Sequence, residues 1–315
     1  MYIVVTGGTG FIGRALVAEL MESGHSVAVP SRSPESARAL FGPRVDCVAW
    51  DGRDAAVLVR LLDNTQEECA VVNLVGEGLA DGRWDADKKK RILESRVHAA
   101  TAVNNAAMAA SRPPAVIIQG SAVGYYGSQA SRQDRILDEA SPLGTGFLAQ
   151  VCAAWETAGT PVEATGLRRV VIRTGLVIGP GGMLAKFLPP FRWFAGGPLG
   201  DGDQWLSWIH LSDMVRAIVW LLENGKASGA YNLSAPMPVT MRQFCKTLGR
   251  CLGRPSWLPV PSAVLRLMLG REMADETVLA SQRAVPVRLL DEGYGFRVME
   301  LESALVKSIR RPVIK

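Results

Sequence analysis

The sequence predicts an α/β protein: a Rossmann-like, doubly wound parallel sheet with a smaller C-terminal substrate-binding part. Three observations carry this. Short Val/Ile-rich runs alternate with helix-like stretches through the first 175 residues. Those runs lack the polar alternation of a half-exposed sheet, so they read as strands covered on both faces. A glycine-rich loop joins the first run to the first helix, the place where such sheets bind dinucleotides.

The first strand, YIVVT at 2–6, leads into TGGTGFIG at 6–13, which spaces its glycines as Gly7-x-x-Gly10-x-x-Gly13. Gly7 permits a tight turn, Gly10 lets the backbone approach a pyrophosphate, and Gly13 lets the helix lie close to the strand. The helix at Phe11–Ser23 turns the free N–H groups of its first turn toward the phosphates. Thr9, Phe11 and Ile12 complete the cofactor-facing stretch. The second strand, SVAVP at 26–30, ends in Ser31 and Arg32 without an acid. An acid there binds the ribose 2′-hydroxyl of NAD, whereas Arg32 can pair with a 2′-phosphate, so NADP is the expected cofactor.

The rhythm continues with a helix at Ser36–Leu40, a strand at 45–50, a helix at Asp54–Leu62 and a strand, CAVVNLV, at 69–75. A long helix, Asp85–Ala110, carries KKKR at 88–91 and then Arg96. The fifth strand, AVIIQG at 115–120, delivers Ser121, with Tyr125 and Tyr126 in the loop behind it. These three lie on the carboxyl edge of the sheet, where ligands bind. A helix at Phe147–Ala158 and a strand at 169–174 follow. Beyond Gly179 a Gly-, Pro- and Trp-dense segment breaks the pattern and reads as a loop region over the sheet. Helices follow near 212–224 and 240–252, then a PVPS turn at 259–262 and a short helical end. The expected organisation is a cofactor-binding core at 1–175, to which later segments return. A substrate-binding part at 176–257 and a small terminal domain at 258–315 follow.

Composition excludes several classes. Hydrophobic residues make up 48% and charged ones 21% of the 315 residues, the balance of a chain with a large interior. The net charge of +5 comes without the aromatic-basic interleaving of a nucleic-acid surface. No apolar run approaches the ~20 residues of a membrane span. The start, MYIVVTGG, shows no secretory pattern, so a cytoplasmic protein is expected. The cysteines (Cys47, Cys69, Cys152, Cys245 and Cys251) and the histidines (His25, His98 and His210) have no metal-ligand spacing, and no metal site is expected. A small-molecule substrate is the expected partner. A protein partner or a homo-oligomer stays open.

The glycine spacing and fold resemble the short-chain dehydrogenase/reductase superfamily in its extended, sugar-epimerase-like branch. NLVGE (73–77), ESRVHAAT (94–101), SAVGYYG (121–127), FLAQVCAAWE (147–156), RTGLVIGPGGM (173–183) and GGPLGDGDQWLSWIHLSD (196–213) narrow this further. Together they resemble atypical epimerase-family proteins of the YfcH/SulA type. The likeness spans essentially the whole chain, including that family's small domain of unknown function from about Leu258. The superfamily sets a Ser after the fifth strand and a Tyr-x-x-x-Lys on the next helix. Its Tyr moves a proton as hydride moves, and its Lys lowers the Tyr pKa and holds the nicotinamide ribose. Ser121 fits, but the Tyr position falls at Phe147 and the Lys position at Val151. Phe cannot transfer a proton and Val cannot lower a pKa. Phe147, Val151 and Trp155 are therefore expected to form an apolar wall.

The resemblance further implies that Asn73, Leu74 and Val75 pass the adenosine side, that Arg96 faces the cofactor, and that Val177 lies near the nicotinamide. It implies an NADP(H)-dependent oxidoreductase or epimerase acting on a small, sugar-like carbonyl or hydroxyl compound. Ser121 would polarise the carbonyl, with Tyr125 or Tyr126 moving the proton. The rival class is a non-catalytic NADP(H) sensor or scaffold acting through a protein partner.

Overall fold

A computed structural model describes residues 1–129 and 134–310 of the chain. The β-branched runs become strands at the expected places: β1 (Tyr2–Thr6), β2 (Ser26–Ser31), β3 (Val45–Ala49), β4 (Cys69–Asn73), β5 (Val116–Ala122) and β6 (Arg168–Thr174). Helices α1 (Phe11–Glu22), α2 (Pro34–Phe41), α3 (Ala55–Asp63), α4 (Ala86–Ala109) and α5 (Phe147–Ala158) alternate with them. The second half adds β7 (Leu176–Ile178), α6 (Gly182–Arg192), β8 (Trp205–Leu206), β9 (Trp208–His210), α7 (Leu211–Glu223), β10 (Gly229–Leu233) and β11 (Val239–Thr240). It closes with α8 (Met241–Leu252), α9 (Ser262–Leu269), α10 (Arg271–Glu276), α11 (Val287–Asp291) and α12 (Leu301–Arg310).

Among the described residues the main sheet has seven strands, ordered β10-β6-β5-β4-β1-β2-β3, all paired in parallel. The strand order reverses at β1, which places the glycine loop at the crevice of a doubly wound sheet. Successive residues point to opposite faces. Ile3 and Val5 thus meet Leu16, Leu20 and Ile218 of α1 and α7, while Val4 meets Leu58, Leu62 and Val103 of α3 and α4. Both faces are dry, which explains the unbroken apolar runs.

Two features escaped the sequence pattern. The segment read as irregular loop holds α6, with Pro189 and Pro190 inside the helix, and β8 and β9. The edge strand β10 (GAYNL) lacks a Val/Ile run, yet it pairs with β6 from Gly229↔Val170 to Leu233↔Thr174. Tertiary burial of Tyr231 and Leu233 decides its conformation in place of local propensity.

A separate apolar cluster, built on Leu184, Phe191, Trp208, Phe244 and Leu248, is completed by Leu301 and Leu305 of α12. Leu289 and Tyr294 join the main core instead. The C-terminal segment is thus packed into both. None of the helices among the described residues is long and apolar enough to cross a membrane.

Asp213, fully buried in the first turn of α7, ties this segment down. Its carboxylate accepts the backbone N–H groups of Arg297 at 3.0 Å and Val298 at 2.7 Å. Asp213→Ala orphans both donors, and each such loss costs about 1–3 kcal/mol. Urea unfolding should show a lower midpoint with an unchanged slope. A stability within the error of the native chain would mean the contact contributes nothing.

Candidate functional site

The glycine loop takes the shape its spacing predicts. Gly7 has φ +75°, and a Cβ on it would stand 2.8 Å from the Leu74 carbonyl group. A Cβ on Gly13 would collide with the Gly7 carbonyl oxygen and come within 2.7 Å of Gly8 Cα. Gly10 is different. It is exposed, precedes α1 with extended backbone, and a Cβ there would meet only the Gly7 oxygen at 3.2 Å. The open side of the loop is therefore at Gly10, where the first amides of α1 are exposed. Gly8, which the spacing did not single out, is pressed against Val29. The Thr9 carbonyl accepts from Arg14 Nε at 2.8 Å. Phe11 lies under Gly179 and Gly182, where an added Cβ would approach its ring to 3.0 Å. Ile12 and Val177 are half-buried against the main core.

At the end of β2, Ser31 Oγ accepts the Ser33 N–H at 3.2 Å, and Arg32 is exposed. Arg32 contributes a little to holding the Glu77 carboxyl below its ordinary range. The hydrogen bond from Lys88 is the larger cause. At the end of β4, Asn73 is fully buried, and its Oδ1 accepts from Thr6 Oγ1 at 2.8 Å and Val75 N at 3.2 Å. The Leu74 N–H reaches the Thr6 carbonyl at 3.0 Å, so the β4 loop backs the glycine loop directly. Arg96 comes up from α4 with its guanidinium against Gly76 and over the Trp155 ring, 5.2 Å from the centroid.

Ser121, Tyr125 and Tyr126 do come together, around a residue the sequence reading passed over. Arg173, opposite Ser121 in the β5–β6 register, forms a two-pronged pair with Glu156. Its Nε lies 3.0 Å from Oε1 and its Nη2 2.9 Å from Oε2. Ser121 Oγ donates to Glu156 Oε1 at 2.6 Å. Tyr126 accepts from Arg173 Nη1 at 3.1 Å and donates to Asn232 Oδ1 at 2.7 Å. Tyr125 lays its ring on the same guanidinium, 3.5 Å from the centroid, edge-on to Tyr126. Burial opposes the Arg173 charge, but hydrogen bonds and attraction from Glu156 raise its pKa on balance. Burial raises the Tyr126 phenol to about 12, against the lowering effect of Arg173. The hydroxyls of Ser121 and Tyr126 are committed to internal partners, while Tyr125 meets the cluster through its ring.

Helix α5 also departs from expectation in detail. Phe147 does not line the β5 end. It packs edge-on against Trp84 at 5.3 Å, with Lys89 Nζ 4.6 Å above its ring. The side chains turned toward Gly124 are Leu148 and Cys152, one position further on. Val151 and Trp155 are buried as expected. Neither the 147/151 nor the 148/152 pair carries a phenol or an amine. Glu276, from α10, accepts the Phe147 N–H at 2.7 Å and the Leu148 N–H at 2.6 Å. This carboxylate at a helix N-terminus is favoured by both the free donors and the dipole. Sequence reasoning missed Glu156, Arg173, Asn232 and Glu276. Only Glu156 left a local signal, as the first ionisable residue of its helix. Among the described residues no cluster of His, Cys, Asp or Glu is arranged to hold a metal ion.

The model of the NAD dependent epimerase/dehydratase family matches residues 3–234, and that of a domain of unknown function, DUF1731, matches residues 260–307. The chain is 40% identical over 311 residues to the chloroplastic SDR39U1 homolog of Arabidopsis thaliana, covering 97% of this chain and 86% of that protein. It is 37% identical to the epimerase family protein YfhF of Bacillus subtilis (strain 168), covering 98% of each. Among solved structures, human epimerase family protein SDR39U1 (isoform 2) with NADPH is similar at a TM-score of 0.85 and 34% identity. That match covers 98% of this chain and 99% of the human one. A UDP-glucose 4-epimerase from Thermotoga maritima, at 19% identity and a TM-score of 0.79, shares the fold.

Two outcomes follow from this geometry. Gly13→Ala forces backbone apart and should cost about 1–3 kcal/mol, the usual range for overpacking, whereas Gly10→Ala has room and should melt near the native chain. Equal melting temperatures for both variants would contradict the close approach at Gly13. Because the folded Tyr126 pKa lies above its ordinary value of 10.0, its contribution to stability is present below that value. It is lost as pH rises through about 12. Ultraviolet titration of Tyr126→Phe should therefore lack one late-ionising phenol. An early-ionising phenol missing instead would contradict the burial of the Tyr126 hydroxyl between Arg173 and Asn232.

Proposed function

Because the chain belongs to the NAD dependent epimerase/dehydratase family, we propose that it is an NADP(H)-dependent oxidoreductase or epimerase-like enzyme. Its substrate on this reading is a small, sugar-like carbonyl or hydroxyl compound, handled without a Tyr-x-x-x-Lys pair. The observation that carries the proposal is the glycine loop: closed by Gly7 and Gly13, open at Gly10, and backed by the β4 loop. The similar human protein crystallised with NADPH supports the choice of dinucleotide. The exposed Arg32 at the end of β2, where an NAD site usually carries an acid, supports it too.

In this reading the α1 amides and Gly10 receive the pyrophosphate, Ser31 and Arg32 the 2′-phosphate, and Leu74, Val75 and Val177 form the floor. The bound cofactor supplies or accepts hydride. Tyr125 is the residue left to move the proton, since Tyr126 is locked between Asn232 and Arg173 and Ser121 gives its hydrogen to Glu156. Ser121 then acts by fixing Glu156, and through it Arg173, under the Tyr125 ring. The same internal satisfaction of Ser121 and Tyr126 favours, as a second reading, a cofactor-binding sensor or scaffold that works through a protein partner.

Three measurements test these assignments. Calorimetry with folded Gly10→Val should show no NADPH binding, and undiminished affinity would refute the loop as the site. Arg32→Ala should remove most of the preference for NADPH over NADH, roughly 1.5–3 kcal/mol or one to two orders of magnitude. Native affinity equal for the two cofactors would sink the 2′-phosphate assignment. Stopped-flow hydride transfer against a carbonyl library should detect turnover that Tyr125→Phe abolishes. Full turnover in Tyr125→Phe moves the proton chemistry elsewhere, and no turnover with any carbonyl favours the sensor.

A further inference from the structure

Between β4 and α4, from Leu74 to Asp85, the chain is neither strand nor helix. Its first part is fixed from α4: the Glu77 N–H donates to Ser95 Oγ at 3.0 Å, and the Glu77 carboxylate meets Lys88 Nζ at 2.7 Å. Trp84 Nε1 donates to the Leu79 carbonyl at 2.9 Å, which closes residues 79–84 into a compact, self-packed loop. The outward contacts of this loop reach three helices. Lys186 Nζ, on α6, donates to the Ala80 carbonyl at 3.0 Å. Arg83 donates from Nε to the Met268 carbonyl at 3.0 Å and from Nη2 to the Leu267 carbonyl, both at the end of α9. Trp84 lies edge-on to Phe147, the first residue of α5.

Those helices stand on opposite sides of the crevice. α6 begins at Gly182, against the ring of Phe11, the first residue of α1. α5 begins at Phe147, and its Leu148 and Cys152 face Gly124, next to Tyr125. A loop touching both crosses from the pyrophosphate end of the site to the end where Tyr125 lies. The helices α9 and α10 are fixed to the frame without it. Lys89 of α4 meets Glu272 at 2.6 Å, and Glu276 accepts the Phe147 and Leu148 N–H groups. Arg83 is the link from the loop to this fixed post, and a cation over the last carbonyls of a helix also suits its dipole. Arg83 and Lys186 are both exposed and bond backbone carbonyls, so each contact is of the modest strength that opens readily.

We propose that residues 78–84 form a lid over the crevice, and that α9 and α10, in the segment matched by the domain of unknown function, are its latch. Closing keeps water from the reacting atoms, and opening admits and releases the cofactor. This rests on the proposed function, because it takes the crevice for the cofactor site. A latch equally strong with and without cofactor sets the rate of exchange and leaves affinity alone. Weakening it raises entry and release together. A side chain that touches the cofactor behaves otherwise, since its loss speeds release and leaves entry nearly as it was.

Stopped-flow fluorescence of NADPH would follow both rates on the native chain, Arg83→Met, Lys186→Met and the double variant. Arg271→Met is the control, an exposed cation of α10 that pairs within its own helix. Each single latch variant should bind and release NADPH about two- to tenfold faster, the range for one exposed hydrogen bond, with the dissociation constant held within about twofold. The double variant should exceed either, and Arg271→Met should match the native chain. Amide exchange across residues 78–84 should quicken in the latch variants. Unchanged rates in the double variant would overturn the lid. So would weakened affinity with unchanged entry, which marks a direct cofactor contact. A native chain that binds no NADPH would remove the functional reading, and the lid with it.

Discussion

The pair between Arg173 and Glu156 organises the carboxyl edge of the sheet. One guanidinium on β6 engages both carboxylate oxygens from α5 and one phenol from the turn after β5. Ser121 adds β5, and Asn232, through Tyr126, adds β10. Side chains from β5 and the turn that follows it, from α5 and from β10 are thus referenced to a single planar group on β6. Two-pronged geometry matters because a buried charge pair returns its desolvation cost only when every hydrogen bond is made well. Removing either partner leaves the other charged and stranded. The loop carrying Tyr125 would then lose the surface on which its ring lies.

Much of this architecture was legible in the sequence because it follows local rules. Parallel strands buried on two faces must be continuously apolar, and the centres of β1, β2 and β4 are, whereas the edge strand β3 exposes Asp46. A glycine required by a close backbone approach has no substitute, so Gly7 and Gly13 announced their loop. What stayed hidden depends on partners brought from a distance. β10 has weak strand character and is held by β6 and the apolar interior around Tyr231. Glu276 is one acid among 30 until the fold delivers it to the α5 amides. The 147/151 register was inferred from spacing alone, and a one-residue difference on a helix turns a side chain by about 100°, enough to change its neighbours.

The chain therefore keeps the scaffold of the family and places a different set of side chains along its carboxyl edge. The positions where a phenol and an amine would be expected carry apolar residues or a thiol, whose pKa burial raises to about 11. Such a thiol is inert as a nucleophile. Charge has not left the region. Cations stand there on β6, as Arg173, and on α4, as Arg96.

The carboxylate that caps α5 belongs to a residue 129 positions further along the chain. A growing polypeptide emerges from its N-terminus, and its domains form as their parts become available. The glycine loop and the first five strands have all left the ribosome well before residue 276 is made. Until then the amides of Phe147 and Leu148 have only water for partners. Assembly of the glycine loop and completion of the α5 end are thus separated in time. The C-terminal segment sets the moment at which the α5 end is capped.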